Sequence, residues 1–131
     1  MLNRRDLLVG AATTVGAMTV VSSETVKAAP DPTMSLNVIY PNHDGARFDT
    51  NYYRSTHIPL AMKVMKAASV ILIEGLPMGS SPAPYAMIAH FQFASSDAIK
   101  AALADPAMAE VRGDVATFTD IKPTVMLGKS L

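Results

Sequence analysis

A tyrosine and a histidine stand four residues apart near the middle of the chain, as Tyr53 and His57, and Pro59 follows closely. On an α-helix this spacing puts both side chains on one face. Pro59 lacks a backbone N–H and should break the helix near His57, where a pocket can open. Histidine changes charge near neutral pH and suits proton transfer to a carbonyl or enol. We therefore predict His57 as a catalytic acid or base beside Tyr53; the alternative is a ring that merely locks the kink.

Other aromatic and polar side chains could position a substrate. The hydroxyl of Tyr52, like that of its neighbour, could stabilise an oxyanion. Tyr40 ends the first predicted strand, from which it could reach the mouth of a pocket. His90 alternates with Ile88 and Gln92 along a later strand, so we predict it as a second catalytic candidate with these two as binding residues. The alternatives are aromatic rings that fill space and a histidine satisfied at an interface.

The sequence predicts no bound metal and no cofactor. The histidines are His43, His57 and His90, without the His-x-His or His-x-x-x-His spacing typical of zinc sites, and the chain has no cysteine. A Gly-x-Gly-x-x-Gly fingerprint, a P-loop and a Gly-x-Ser-x-Gly elbow are also missing from the sequence. Haem held through His57 stays open as an alternative.

The order of predicted elements defines the fold that must position these residues. We predict strands over 34–40, 69–75, 85–93 and 121–127. A helix should run from Thr50 to about Met65 or Lys66, with a kink or restart near His57 and Ile58 caused by Pro59. Further helices should run from Ser95 or Ser96 to about Leu103 and from Asp105 to about Val111, followed by a turn or short helical piece over 114–119. The order β-α-β-β-α-β predicts an α+β, ferredoxin-like fold, with helices on one face of an antiparallel sheet.

The open face of this sheet predicts a homodimer. Along residues 85–93, Met87, Ala89, Phe91 and Phe93 should face the helices, while Ala86, Ile88, His90 and Gln92 should face away. A half-apolar open face on a domain of about 100 residues favours pairing with a second copy. We expect two sheets to pack face to face around a cavity lined by Ile88, His90 and Gln92, into which His57 reaches.

Three stretches of the chain resemble a known family. They are Asn37-Val-Ile-Tyr-Pro-Asn42, Gly45-Ala-Arg-Phe-Asp49 and, most specifically, Tyr52-Tyr-Arg-Ser-Thr-His-Ile-Pro-Leu60. With Phe118-Thr-Asp-Ile-Lys-Pro123 they resemble the EthD family, named for ethyl tert-butyl ether degradation, over about residues 35–128. The resemblance implies a dimeric α+β barrel, an architecture shared with cofactor-independent monooxygenases, isomerases, cyclases and haem-degrading enzymes. It does not single out one reaction.

The pattern of the first 28 residues predicts an export signal. Arg4 and Arg5 precede a run from Leu7 to Ser22 without a charged residue, which is typical of a secretory signal and short for a membrane span. The string Asn-Arg-Arg-Asp-Leu-Leu resembles a twin-arginine address. We predict cleavage after Ala28, a leader over 29–34, a domain over 35–131, and a periplasmic or secreted location.

Charge narrows the choice of partners. From Ala29 onward the chain has eight Lys and Arg residues and nine Asp and Glu residues, so its net charge is close to zero. The sequence therefore predicts neither nucleic-acid binding nor membrane binding after signal cleavage. The leading hypothesis is a small exported enzyme, like an oxidoreductase or monooxygenase, or like an isomerase or cyclase, that acts on a small hydrophobic organic molecule without a cofactor. The runner-up is a periplasmic binding or accessory module without turnover.

Overall fold

The computed structural model of the protein describes residues 33–131. The predicted signal peptide and most of the predicted leader lie outside the described residues. The elements are β1 (Met34–Pro41), α1 (Thr50–Tyr52), a π-helical turn (Tyr53–His57), α2 (Ile58–Met65), β2 (Ser69–Glu74), β3 (Tyr85–Phe93), α3 (Ser96–Ala104), α4 (Met108–Phe118) and β4 (Thr124–Lys129). No helix within 33–131 has the length and apolar character needed to cross a bilayer.

The four strands form one antiparallel sheet in the order β2-β3-β1-β4. Leu36 pairs with Phe91 of β3 and Val38 pairs with Val125 of β4, so these residues share the helix-facing side. Asn37 pairs with His90, which puts both on the opposite side. The predicted α+β, ferredoxin-like arrangement is confirmed.

The core lies between the sheet and the helices. Alternate residues of β1 and β3 supply one half of it, because successive strand side chains point to opposite faces. The helices supply the other half with apolar residues from α2, α3 and α4. The buried apolar residues are Leu36, Tyr40, Tyr53, Ile58, Ala61, Met65, Met87, Ala89, Phe91, Phe93, Ile99, Ala102, Met108, Val111, Phe118 and Ile121.

The kink or restart predicted near His57 and Ile58 takes the form of a π-helical turn. Asp49 caps the start of the helical segment, where its carboxylate accepts the Tyr52 N–H at 3.1 Å. The Ile58 N–H then bonds the Tyr53 carbonyl, five residues back. α2 begins at Ile58 with Pro59 in its first turn, a position where the fixed φ of proline suits a helix. The chain thus passes Pro59 within a continuous helical rod whose wide turn ends at His57.

The last helix corrects the sequence prediction. Residues 105–111 and 114–119 were expected to form separate pieces, but α4 runs unbroken from Met108 to Phe118. Met108, Val111 and Phe118 are buried at helical spacing, so tertiary packing outweighs the low helix propensity of Gly113. The continuous helix places Asp114 opposite the π-helical turn.

Two glycines give opposite stability predictions. A Cβ on Gly75 would overlap the Tyr85 carbonyl oxygen, while a Cβ on Gly113 would meet no atom within 4 Å. We expect Gly75→Ala to lower the free energy of unfolding by about 1–3 kcal/mol, and Gly113→Ala to raise it by about 0.5–1 kcal/mol. Urea denaturation followed by circular dichroism measures both. A Gly75→Ala variant as stable as wild type would contradict the close approach of the two strands.

Candidate active site

A pocket of about 140 Å³ lies between the sheet and the helices. Its walls come from β1, β3, β4, the π-helical turn and the helices α2, α3 and α4. Nearly all of the lining is apolar; the side chains with polar groups are Tyr40, Tyr53, His57 and Arg112. An engineered apolar cavity of roughly 150 Å³ binds benzene, so the pocket suits a hydrophobic molecule of about one ring.

His57 is held in the wall of this pocket by aromatic packing. Its ring stacks on Tyr53, with centroids 5.6 Å apart, and lies 4.5 Å from the centroid of Phe118. Only 5 % of the residue is exposed to solvent. The predicted pairing of Tyr53 with His57 on one side of the helical segment is therefore present in the structure.

Asp114 joins His57 to Tyr52 by two short hydrogen bonds. One carboxylate oxygen contacts His57 Nδ1 at 3.0 Å, and the other accepts the Tyr52 hydroxyl proton at 2.7 Å. A carboxylate can only accept, so neutral His57 carries its proton on Nδ1. The lone pair then lies on Nε2, to which no group within residues 33–131 is hydrogen-bonded. We call this unit the His57–Asp114 pair; it leaves Nε2 free to take a proton.

The contacts of Asp114 favour its ionised form. Burial acts against ionisation, but the hydrogen bonds from Tyr52 and His57 outweigh it and hold the pKa of the carboxyl below its ordinary value. The same bond to Asp114, together with burial, raises the pKa of Tyr52. Asp114 is therefore a carboxylate at neutral pH and can stabilise a positive charge that forms on His57.

The depressed pKa of Asp114 predicts a pH-dependent contribution to stability. Because the folded state favours the carboxylate, the contribution is full above the ordinary pKa of 3.8 and is lost as pH falls through the lower folded pKa. We expect the stability advantage of wild type over Asp114→Asn to shrink between pH 6 and pH 2.5, as measured by urea denaturation. Tyr52→Phe should weaken this pH dependence. An advantage that stays constant with pH would contradict the hydrogen-bonded carboxylate.

Tyr40 and Tyr53 bring neutral hydroxyls to the same pocket. Burial raises the pKa of both phenols; the Tyr53 hydroxyl partly offsets the effect at Tyr40, whereas Tyr40 adds to it at Tyr53. At neutral pH both groups are protonated and can donate a hydrogen bond. Tyr40 was expected at the pocket mouth, but it is 1 % exposed and lies in the interior.

The other predicted site residues lie elsewhere. Tyr52 contacts Asp114 and does not line the pocket. His90, Ile88 and Gln92 lie on the opposite face of the sheet from Tyr40 and the pocket, because their positions alternate with the core residues of β3. The sequence prediction required His57 and His90 to line one cavity, but the structure places them on opposite sides of the sheet. Their roles as catalytic or binding residues stay predictions.

His90 is satisfied by its neighbours on the open face. Its Nδ1 lies 2.6 Å from the Asn37 side-chain oxygen, and the Asn37 amide donates to Ser35 at 3.0 Å. The Gln92 side-chain oxygen accepts the Ser69 hydroxyl proton at 2.7 Å. These contacts favour a structural role for His90 at a sheet surface.

Sequence reasoning missed Asp114 and Arg112. Asp114 was expected to begin a turn or short helical piece and Arg112 to lie between two pieces, whereas both belong to α4. The spacing of Met108, Val111, Val115 and Phe118 is helical and could have revealed the helix. The contact between Asp114 and His57 joins residues 57 positions apart, and nothing in the local pattern signals it.

The site offers little to a metal or a large cofactor. Within residues 33–131 no three His, Asp or Glu side chains cluster closely enough to hold a metal ion. A cavity of about 140 Å³ holds one ring rather than a four-ring macrocycle. The haem alternative therefore does not fit this pocket.

The comparison with family models assigns the chain to the EthD family. The EthD domain model matches residues 44–122, well over half of the chain, and the protein belongs to this family. The match contains Tyr52, His57 and Asp114. Comparison with curated proteins finds no match.

Solved structures support the same assignment. An EthD-like protein from Ralstonia eutropha JMP134 shares 29 % identity over 75 % of this chain and 91 % of that chain, with a TM-score of 0.69. An EthD family protein from Bacillus halodurans C-125 has 14 % identity, covers 76 % and 99 % of the two chains and has a TM-score of 0.61. A protein of unknown function from Nitrosomonas europaea, at 16 % identity and 79 % and 93 % coverage, has a TM-score of 0.53 and shares the fold.

Proposed function

We propose that the protein is a small enzyme that moves a proton on a hydrophobic, one-ring-sized organic molecule without a bound cofactor. The observation that carries this proposal is the His57–Asp114 pair in the wall of an apolar pocket. A buried base in an apolar pocket, oriented by a carboxylate, is an arrangement suited to general base catalysis.

The proposed reaction begins with a C–H bond beside a carbonyl. Its proton passes to His57 Nε2, and the electron pair of the bond moves to the carbonyl oxygen, which becomes an enolate. Asp114 stabilises the imidazolium that results, and the neutral hydroxyls of Tyr40 or Tyr53 can donate to the enolate oxygen. If the proton returns to a different atom of the enolate, the enzyme is an isomerase. If the enolate attacks another atom of the same molecule, the enzyme is a cyclase, and if the enolate reacts with dioxygen, the enzyme is a monooxygenase.

We also propose a homodimer that acts outside the cytoplasm. The open face of the sheet carries Ile71, Ile73 and Met126, each about half exposed, and covering them would favour association with a second copy. Since the pocket lies on the helix side, such a dimer would leave each subunit with its own pocket. The twin-arginine-like start of the sequence supports export to the periplasm or beyond.

Exchange of substrate C–H protons with solvent deuterium distinguishes an enzyme from a binding module, and the test does not require the natural substrate. We expect wild-type protein in D₂O to speed deuterium incorporation beside the carbonyl of cyclohexanone or a related monocyclic ketone, as measured by ¹H NMR. The control is Ala61→Phe, which fills the pocket from α2, where Ala61 is buried in the lining. Binding of these ketones by wild type without faster exchange would contradict the enzyme and favour the non-catalytic binding module.

A further inference from the structure

One charged side chain belongs to the pocket lining, and the proposed proton transfer does not use it. Arg112 lies on α4 within the series Met108, Val111 and Val115, all of which line the pocket. Residues three or four apart share a helix face, so Arg112 projects from the side of α4 that bounds the pocket. None of the acidic residues within 33–131 forms an ion pair with it.

The exposure of the lining residues places Arg112 at the pocket rim. Leu36 and Phe91 are 2 % exposed and form the floor, whereas Leu103 and Val125 are 40 % and 56 % exposed. Arg112 is also exposed, while His57 is buried. A molecule that fills the pocket therefore has one end near Arg112 and its body among apolar side chains and His57.

We propose that the pocket selects an organic acid, in which a single ring carries one carboxylate that Arg112 binds at the rim. This inference rests on the proposed function of the pocket. A guanidinium donates paired hydrogen bonds to a carboxylate, whereas a neutral ligand of the same shape gains no such ionic contact. With its carboxylate at the rim, the ligand places its ring inside the pocket. The atom that faces His57 Nε2 therefore belongs to the ring or to a substituent on the side away from the carboxylate.

Benzoate and benzamide test the inference because they share size and shape and differ in charge. We would titrate each into ¹⁵N-labelled protein and follow the His57 ring and the backbone of α4 by NMR. We expect benzoate to bind at least about fivefold more tightly than benzamide at low salt, with the difference shrinking as salt is added. Arg112→Gln should abolish the difference, and Arg112→Lys should keep part of it.

The matched control is Arg54→Gln, which removes the same charge from an exposed residue that does not line the pocket. It should keep the preference for benzoate. Equal affinities in wild type, or a preference that survives Arg112→Gln, would overturn the inference while leaving the proposed function intact. If neither probe shifts the His57 resonances, the inference fails, while the exchange of monocyclic ketones decides the proposed function separately.

Discussion

Replacement of His57 by glutamine should lower the rate of ketone exchange by about 10²–10⁴, the range typical of a lost acid or base. Glutamine fills much of the space of the imidazole and can still hydrogen-bond Asp114, but it cannot take a proton at neutral pH. We therefore expect the variant to fold and to bind the same ketones with an affinity close to that of wild type. The measurement is the ¹H NMR exchange rate at saturating ketone, with the dissociation constant determined in parallel.

The same substitution at His90 provides the control. His90 lies on the face of the sheet away from the pocket and is hydrogen-bonded to Asn37. We expect His90→Gln to exchange ketones at nearly the wild-type rate. Loss of exchange in His90→Gln with full exchange in His57→Gln would move the active site to the open face and contradict the assignment made from the pocket.

Replacement of Asp114 by asparagine should lower the exchange rate by roughly 10² or more, although Asp114 does not contact the substrate pocket. An amide can donate to Nδ1 instead of accepting from it, which would put the imidazole proton on Nε2, where the base must be free. In a serine protease, the corresponding aspartate-to-asparagine change lowers kcat by about 10⁴. Asparagine also leaves the imidazolium without a compensating negative charge.

Tyr52→Phe separates this effect from a general loss of order around Asp114. The change removes the 2.7 Å bond from the tyrosine hydroxyl and leaves the 3.0 Å contact between Asp114 and His57. We expect less than about a tenfold loss of rate, since one supporting hydrogen bond is worth roughly 0.5–1.5 kcal/mol. The ¹⁵N shifts of the His57 ring report the tautomer in each variant. Equal rates in wild type and Asp114→Asn would show that the carboxylate has no positioning role.

The fold was predictable because its signals are local. Alternation along residues 85–93 fixed the two faces of β3, and Pro41 and Pro59 marked the end of a strand and a change in the helix. The two pieces expected over 105–119 form one helix, α4: Gly113 lowers the helix propensity of its middle, and the packing of Met108 and Phe118 that overrides it is a tertiary effect.

The site was predictable only where its residues are close in sequence. Tyr53 and His57 were found from their spacing on one helical segment, and the structure keeps them stacked. Asp114 comes from a distant helix, so its contact with His57 depends on how α4 packs. Alternation put His90 on the open face correctly, but no pattern states which face of a sheet holds the pocket.

A crystal structure of the protein with a bound monocyclic ketone or phenol would test the central claim most directly. We predict that the ring lies between the sheet and the helices of one subunit, with its oxygen or adjacent carbon within hydrogen-bond or contact distance of His57 Nε2, while Asp114 still holds Nδ1. A probe bound instead on the open sheet face beside His90, with the helix-side pocket vacant, would contradict it.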